Sequence, residues 1–302
     1  MRFLVCLLPL VVLIGVSRWA GLGEIGALAQ TSLPPSVTHV GVVVPDIDSA
    51  VRAYAELVGT QIPDIQRTEA HDSTGPVRAA RIHLSNITIE LLQPVGDVSN
   101  TYHDFVGTGG PGVHHLGLEL DPDDQALSVN LTEQLGLTLE HGTGVLEPSP
   151  VTRPPLGRPT CITHIGIVVR NIKASRKALA DLLKVDVPVI GEFNEPRGLA
   201  EYAVFNLKNT NIELLQQTGD GSGSYADFLA THGQRVHHVG LHLRRTNDSL
   251  SMQEQIAWLV QHGGGMALNT GGFAYVDFRP QLGLFVEALP RATNERVYPH
   301  PH

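Results

Sequence analysis

The chain has 302 residues, 42% of them hydrophobic and 17% charged, enough apolar material for two domains and a sizeable core. The formal net charge is −9, and no dense run of Lys and Arg interrupts the acidic balance. This argues against nucleic acid or an anionic membrane surface as a partner.

Residues 1–29 read as an export signal. Arg2 gives a short basic start, Phe3 to Val16 an apolar run too short to span a bilayer comfortably, and Ala27-Leu28-Ala29 an A-x-A cleavage site. An uncleaved anchor is the alternative. After cleavage the protein would be periplasmic or extracellular, with no membrane insertion. It would keep Cys161 as its only cysteine, so no internal disulfide would form.

A first unit is expected over 37–141. Val37 to Val44 is an apolar strand carrying His39, and Pro45-Asp46-Ile47-Asp48 turns the chain into a helix that Gly59 stops. Val77 to Leu84 and Ile87 to Leu92 form a hairpin across Ser85-Asn86, with Glu90 on its second strand. A short helix near Tyr102 to Val106 and a glycine-rich loop lead into the strand Val113 to Leu120. A helix is expected from Asp121–Asp124 to about Leu135, and Leu137 to Glu140 is a candidate strand. Residues 142–160 hold five prolines and read as a linker, because proline cannot donate to a ladder. The first unit is therefore expected to lack its last hairpin, leaving an edge that a second copy would cover in a homodimer.

A second unit, 161–290, starts the pattern again. Thr163 to Val169 is a strand and Asn171 opens a helix. Tyr202 to Leu207 and Asn211 to Leu215 form a hairpin across Lys208-Asn209, and a helix follows over Ser224 to His232. The strand Val236 to Leu243, a helix over Ser251 to His262 and a last hairpin from Phe273 to Ala288 complete it. Residues 291–302 form a polar tail.

The repeated residues point to chemistry. His-apolar-Gly-apolar occurs at His39, His115, His164 and His238, and an apolar-Glu pair recurs at Glu90, Glu213 and Glu287. His39 to Glu90 is 51 residues, while His164 to Glu213 and His238 to Glu287 are both 49. An internal repeat with fixed offsets marks repeated structural units. Strand alternation puts each histidine and its glycine on one face, with the apolar residues on the other. His164, Glu213, His238 and Glu287 would then share one cavity. A carboxylate facing a sheet interior is costly unless paired or bound to metal. Two imidazoles and two carboxylates suit a divalent Zn, Mn, Co, Ni or Fe ion. The plain alternative is a set of polar residues on half-exposed strands. In the first unit His39, Glu90 and His115 remain without a counterpart of Glu287, so a degenerate unit and a three-ligand site both stand. Alternation turns His114 and His237 away from the cavity.

These motifs resemble the vicinal oxygen chelate superfamily, which includes glyoxalase I, methylmalonyl-CoA epimerase, bleomycin-resistance proteins and extradiol dioxygenases. The likeness rests on Thr163-His164-Ile165-Gly166-Ile167-Val168, Asn211-Ile212-Glu213-Leu214-Leu215 and Val236-His237-His238-Val239-Gly240, and on their first-unit copies Thr38-His39-Val40-Gly41 and Ile89-Glu90-Leu91-Leu92. It spans roughly 37–140 and 161–290 and is closest to the epimerase branch. It implies an α+β fold of tandem βαβββ modules with two curved sheets cupping a divalent metal, the first unit truncated. It also implies His164, Glu213, His238 and Glu287 as ligands, with Glu287 as ligand and proton-transferring base in turn. Glu201, on a neighbouring strand, is a second base candidate. An exported protein would not meet coenzyme A thioesters, so an epimerase-like motif does not carry an epimerase substrate. The leading expectation is a metal-dependent isomerase or lyase acting on a small chelating substrate. The alternatives are an extradiol-type Fe(II) dioxygenase and a non-catalytic binding or resistance protein.

Overall fold

Each half of the chain forms one sheet, and each sheet is centred on an antiparallel pair of histidine strands. The computed structural model describes residues 35–69, 75–96, 100–120, 128–141, 160–219, 221–242 and 250–289. The signal read at 1–29, the linker from 142 to 159 and the tail at 291–302 lie outside them. The first half runs β1 (Ser36–Val43), α1 (Ile47–Val58), β2 (Gln66–Glu69), β3 (Pro76–His83), β4 (Thr88–Pro94), α2 (Thr101–Gly109), β5 (Gly112–Glu119), β6 (Ser128–Asn130), α3 (Thr132–Leu135) and β7 (Thr138–His141). The second runs β8 (Cys161–Val168), α4 (Ile172–Leu183), β9 (Gly191–Glu195), β10 (Gly198–Asn206), β11 (Asn211–Gln217), α5 (Ser224–His232), β12 (Arg235–His242), α6 (Met252–Gln261), β13 (Gly265–Asn269), β14 (Ala274–Asp277), α7 (Arg279–Leu282) and β15 (Phe285–Ala288). The strand orders are β2-β3-β4-β1-β5-β7-β6 and β13-β14-β15-β12-β8-β11-β10-β9. In each sheet the central antiparallel pair is flanked by strands parallel to it, β4 and β7 in the first, β11 and β15 in the second. This is the expected α+β architecture of tandem modules.

The helices form where their caps allow. The Asp46 carboxylate accepts from the backbone N–H groups of Asp48 and Ser49, and Gly59 ends α1 at φ 69°. Asn171 caps α4 in the matching place by accepting from Ala174 N. Each such cap stabilises by about 1 kcal/mol. Both helices lay apolar faces on the sheets: Ile47, Val51 and Tyr54 from α1, Ile172, Leu179 and Leu183 from α4. One apolar cluster joins the two sheets, with Val40, Ile89 and Leu116 of the first beside Ile165, Val239 and Val286 of the second. No helix among the described residues is long and apolar enough to cross a membrane.

Two asparagines bind the halves together. Asn86, at the β3–β4 turn, donates from Nδ2 to the carbonyls of Ile162 and Asn209, and its Oδ1 accepts from Ile162 N. Asn209, at the β10–β11 turn, donates to the carbonyls of Val37 and Asn86 and accepts from Val37 N. Each hairpin tip thus holds the first strand of the other half.

The structure corrects the expected ending of the first unit. Residues 128–135 do not form one helix; they form the strand β6 and the one-turn α3. Asn130 Oδ1 accepts from Thr132 N at the break, and the buried pair Leu131 and Leu135 gives the helical spacing that misleads. With β7, this reproduces the β14–α7–β15 unit. The final hairpin is present, and what is shortened is the connection before it: β5 reaches β6 across 120–127, whereas β12 reaches β14 through α6 and β13.

Candidate metal centre

In the second half four neighbouring strands bring the expected residues together. Glu213 lies beside Gly166 across β11 and β8, His238 beside Gly166 across β12 and β8, and Gly240 beside both His164 and Glu287. The glycines make room for the rings. A Cβ on Gly166 would fall 2.0 Å from His238 Cε1, and one on Gly240 2.2 Å from His164 Cε1. The Nε2 atoms of His164 and His238 are 3.1 Å apart. Glu287 Oε2 is 2.8 Å from His164 Nε2 and 3.8 Å from His238 Nε2, and Glu213 Oε2 is 3.6 Å from His238 Nε2. Each Nδ1 is engaged on the far side, by Thr163 Oγ1 at 3.0 Å and by His237 Nδ1 at 3.1 Å. Such partners fix ring orientation in metal sites.

His237 is not turned away, as alternation predicts. The ladder between β8 and β12 shifts register between Val236 and His238, so His237 is the extra residue of a bulge. Its ring reaches the His238 side of the sheet, stacks on Phe285 and meets Tyr225, Phe228 and Tyr275 edge-on. A matching register shift between Gly41 and Val42 leaves His114 facing Tyr102 and Phe105. Glu201 is not brought to the cluster. It pairs with Gln216, three residues from Val204, which pairs with Glu213, and the odd offset turns it to the other face of β10.

The first half holds a residue that spacing missed. Glu140 lies beside Gly117 across β5 and β7, as Glu287 lies beside Gly240. The signal was a local one: Gly136-Leu137-Thr138-Leu139-Glu140 repeats Gly283-Leu284-Phe285-Val286-Glu287. His39, His115 and Glu140 gather within 4.8 Å, as do His164, His238 and Glu287. The first cluster differs in which atoms meet. Glu140 Oε1 approaches Nδ1 of His115 at 3.7 Å, and Glu90 Oε2 lies 3.9 Å from its Nε2. Glu90 also pairs with Arg81, at 3.2 Å from Nε.

Residues 38–147 and 163–275 each match the model of the glyoxalase/bleomycin resistance protein/dioxygenase superfamily, together well over half of the chain. The chain belongs to this superfamily. Superfamily relatives include the mitochondrial methylmalonyl-CoA epimerase of Mus musculus, 29% identical over 85 residues, 28% of this chain and 46% of the relative. The ethylmalonyl-CoA/methylmalonyl-CoA epimerase of Cereibacter sphaeroides is 29% identical over 85 residues, covering 28% of this chain and 60% of the relative. The matches thus span about half the length of these relatives. A mutant of 4-hydroxymandelate synthase from Streptomyces coelicolor shares the fold across 87% of this chain and 99% of its own, with a TM-score of 0.62 and 13% identity.

The electrostatics of this superfamily site suit a cation. Burial pushes the Glu287 carboxyl up to about 8, partly offset by a hydrogen bond with Tyr275. Burial, reinforced by His164, holds His238 well below the usual imidazole range, and burial does the same to His237. Burial and then Glu90 raise Glu140 to about 7. Neutral imidazoles are the form that ligates metal. Glu287 Oε2 is buried without a hydrogen-bond partner, although it lies at contact distance from His164. Two Nε2 atoms and an orphaned carboxylate oxygen form a donor set that fits a divalent first-row ion. Beside the centre lies a cavity of about 300 Å³ lined by residues that include His237, Tyr275, Phe285 and Arg279. Tyr275 also bonds the Tyr225 hydroxyl at 2.7 Å.

Proposed function

We propose that the second half is the metal centre of an enzyme that moves a proton next to a carbonyl of a small, metal-chelating oxygenated substrate, as an isomerase or lyase of glyoxalase or epimerase type. The observation that carries this reading is the convergence of His164, His238 and Glu287, each buried, on one point. A divalent ion bound there would supply Lewis-acid stabilisation of negative charge on a substrate oxygen. His164 and His238 would hold it, with Glu213 as a fourth donor. Glu287 takes the substrate proton on Oε2 and returns it. Tyr275 fixes the carboxylate through its hydrogen bond and is fixed in turn by Tyr225. Phe228, Phe285 and Tyr275 form an apolar wall of the adjoining cavity, where a small substrate would lie. Metal analysis of the purified protein, followed by a solvent-deuterium exchange screen of small 2-oxo compounds and thioesters, tests this. His164→Ala and Glu287→Ala should both lower bound metal, and unchanged content in both overturns the site.

A second reading draws on the same three residues. Two histidines and one carboxylate are the donor set of non-haem Fe(II) oxygenases, with Glu213 standing aside. Bound iron with oxygen consumption would select it, and protein purified without metal would select a ligand-sequestering role. We also propose export through residues 1–29, which N-terminal sequencing of protein recovered from the periplasm or medium checks.

A further inference from the structure

We propose that in the first half the side chain of Arg81 is a built-in counter-cation, so that the chain binds one divalent ion, in the second half, and the first cluster accepts an ion only when Arg81 is removed. This rests on the reading of the second half as a metal site. The strand pairings of the two halves match around their carboxylates: Glu90 lies beside Gly41 as Glu213 lies beside Gly166. Arg81 on β3 stands opposite Glu90 on β4, and Val204 on β10 stands opposite Glu213 on β11. One position thus carries a permanent positive charge in one half and an isopropyl group in the other. The guanidinium reaches its target, with Arg81 Nε 3.2 Å from Glu90 Oε1 and the side chains 7% and 0% exposed. Arginine does not release its proton in proteins, so the charge is fixed.

Three consequences follow from that charge. Glu90 is neutralised by a covalent part of the protein, whereas Glu213 faces Val204. A divalent ion among His39, His115 and Glu140 would sit close to a like charge in a dry interior, where repulsion is poorly screened. The carboxylate also approaches a different ring atom: Glu140 Oε1 lies 3.7 Å from Nδ1 of His115, the nitrogen that His114 also meets at 3.1 Å. In the second half Glu287 approaches the Nε2 atoms instead. The backbone plan is shared, and the arginine decides what fills it.

Protein stripped with a chelator and titrated with Co²⁺, with stoichiometry read from absorbance and elemental analysis, tests the assignment. The wild type should bind one ion per chain, His39→Ala should still bind one, and His164→Ala should bind none. Arg81→Val should bind two, falling to one when His39→Ala is added. Two ions per wild-type chain, one of them lost in His39→Ala, overturn the proposal. A folded Arg81→Val that stays at one ion overturns it too. If Arg81→Val fails to fold, the wild-type and His39→Ala titrations still decide. Should His164→Ala leave cobalt binding intact, the reading of the second half fails, while the His39→Ala arm judges the first half separately.

Discussion

Gly166 and Gly240 set how closely two imidazoles and a carboxylate can gather. A methyl group at either would lie 2.0–2.2 Å from a ring carbon of His238 or His164, so the ring must move. Gly166→Ala and Gly240→Ala should therefore each weaken Co²⁺ binding by at least about tenfold, the scale of lost orientation in metal sites. Circular dichroism should remain native, and calorimetric titration gives the affinity. A pH effect belongs to the same residues. Glu287 has a folded-state value near 8, above its unfolded 4.5, so its contribution is present at low pH and lost as pH rises through about 8. His238 is depressed below 6.5, so its contribution is lost on acidification. Between pH 6.5 and about 7 Glu140, raised to about 7, adds to the same slope, and above that the Glu287 effect dominates. Metal-free protein should melt at lower temperature as pH rises from 6.5 to 8, and Glu287→Gln should flatten that slope. Saturating metal should flatten it as well, since the ion favours the carboxylate. Differential scanning fluorimetry across the pH series reads all three.

At the scale of elements, strand pairs and hairpins were legible because they repeat. The four histidine strands and the two long hairpins lie where alternation and turn residues put them. The bulge at His237 was not legible, because a bulge breaks the period-two rule and leaves no residue type behind. The hairpin bearing Glu140 was hidden for another reason. Its two strands have only three and four residues, too few for alternation to outweigh the helical spacing of Leu131 and Leu135. The asparagines at the turns were read as turn formers, and their second use needs the other half of the molecule. Asn86→Ala removes three hydrogen bonds and leaves Ile162 N without Oδ1. A loss of about 1–3 kcal/mol follows from one unsatisfied buried group. Asn86→Ala and Asn209→Ala should be non-additive in urea denaturation, since each donates to the other's carbonyl. Additive losses would mean that the clamps act independently.

For the whole molecule, the halves share one apolar cluster, so neither sheet is sealed without the other. Nothing in composition or periodicity says how two repeats pack, since side-chain pattern fixes the faces of a sheet but not its partner. The packing has an internal two-fold character beyond the asparagines. Gly136, after α3, abuts Gln234 at the start of β12, and Gly283, after α7, abuts Gly112 at the start of β5. Each half performs for the other the service it receives. A second half expressed alone, residues 160–289, would expose its apolar face and leave Ile162 without Asn86, yet it still carries Asn209. Two copies can meet these needs mutually, with Asn209 of each at the first strand of the other. Sedimentation should therefore find this fragment as a dimer, and Asn209→Ala should weaken the association. Contacts that two identical copies would share across an interface lie, in this chain, between its two halves. Because both copies lie in one chain they can differ: an arginine in one half and a valine in the other cannot be kept apart in an assembly of identical subunits.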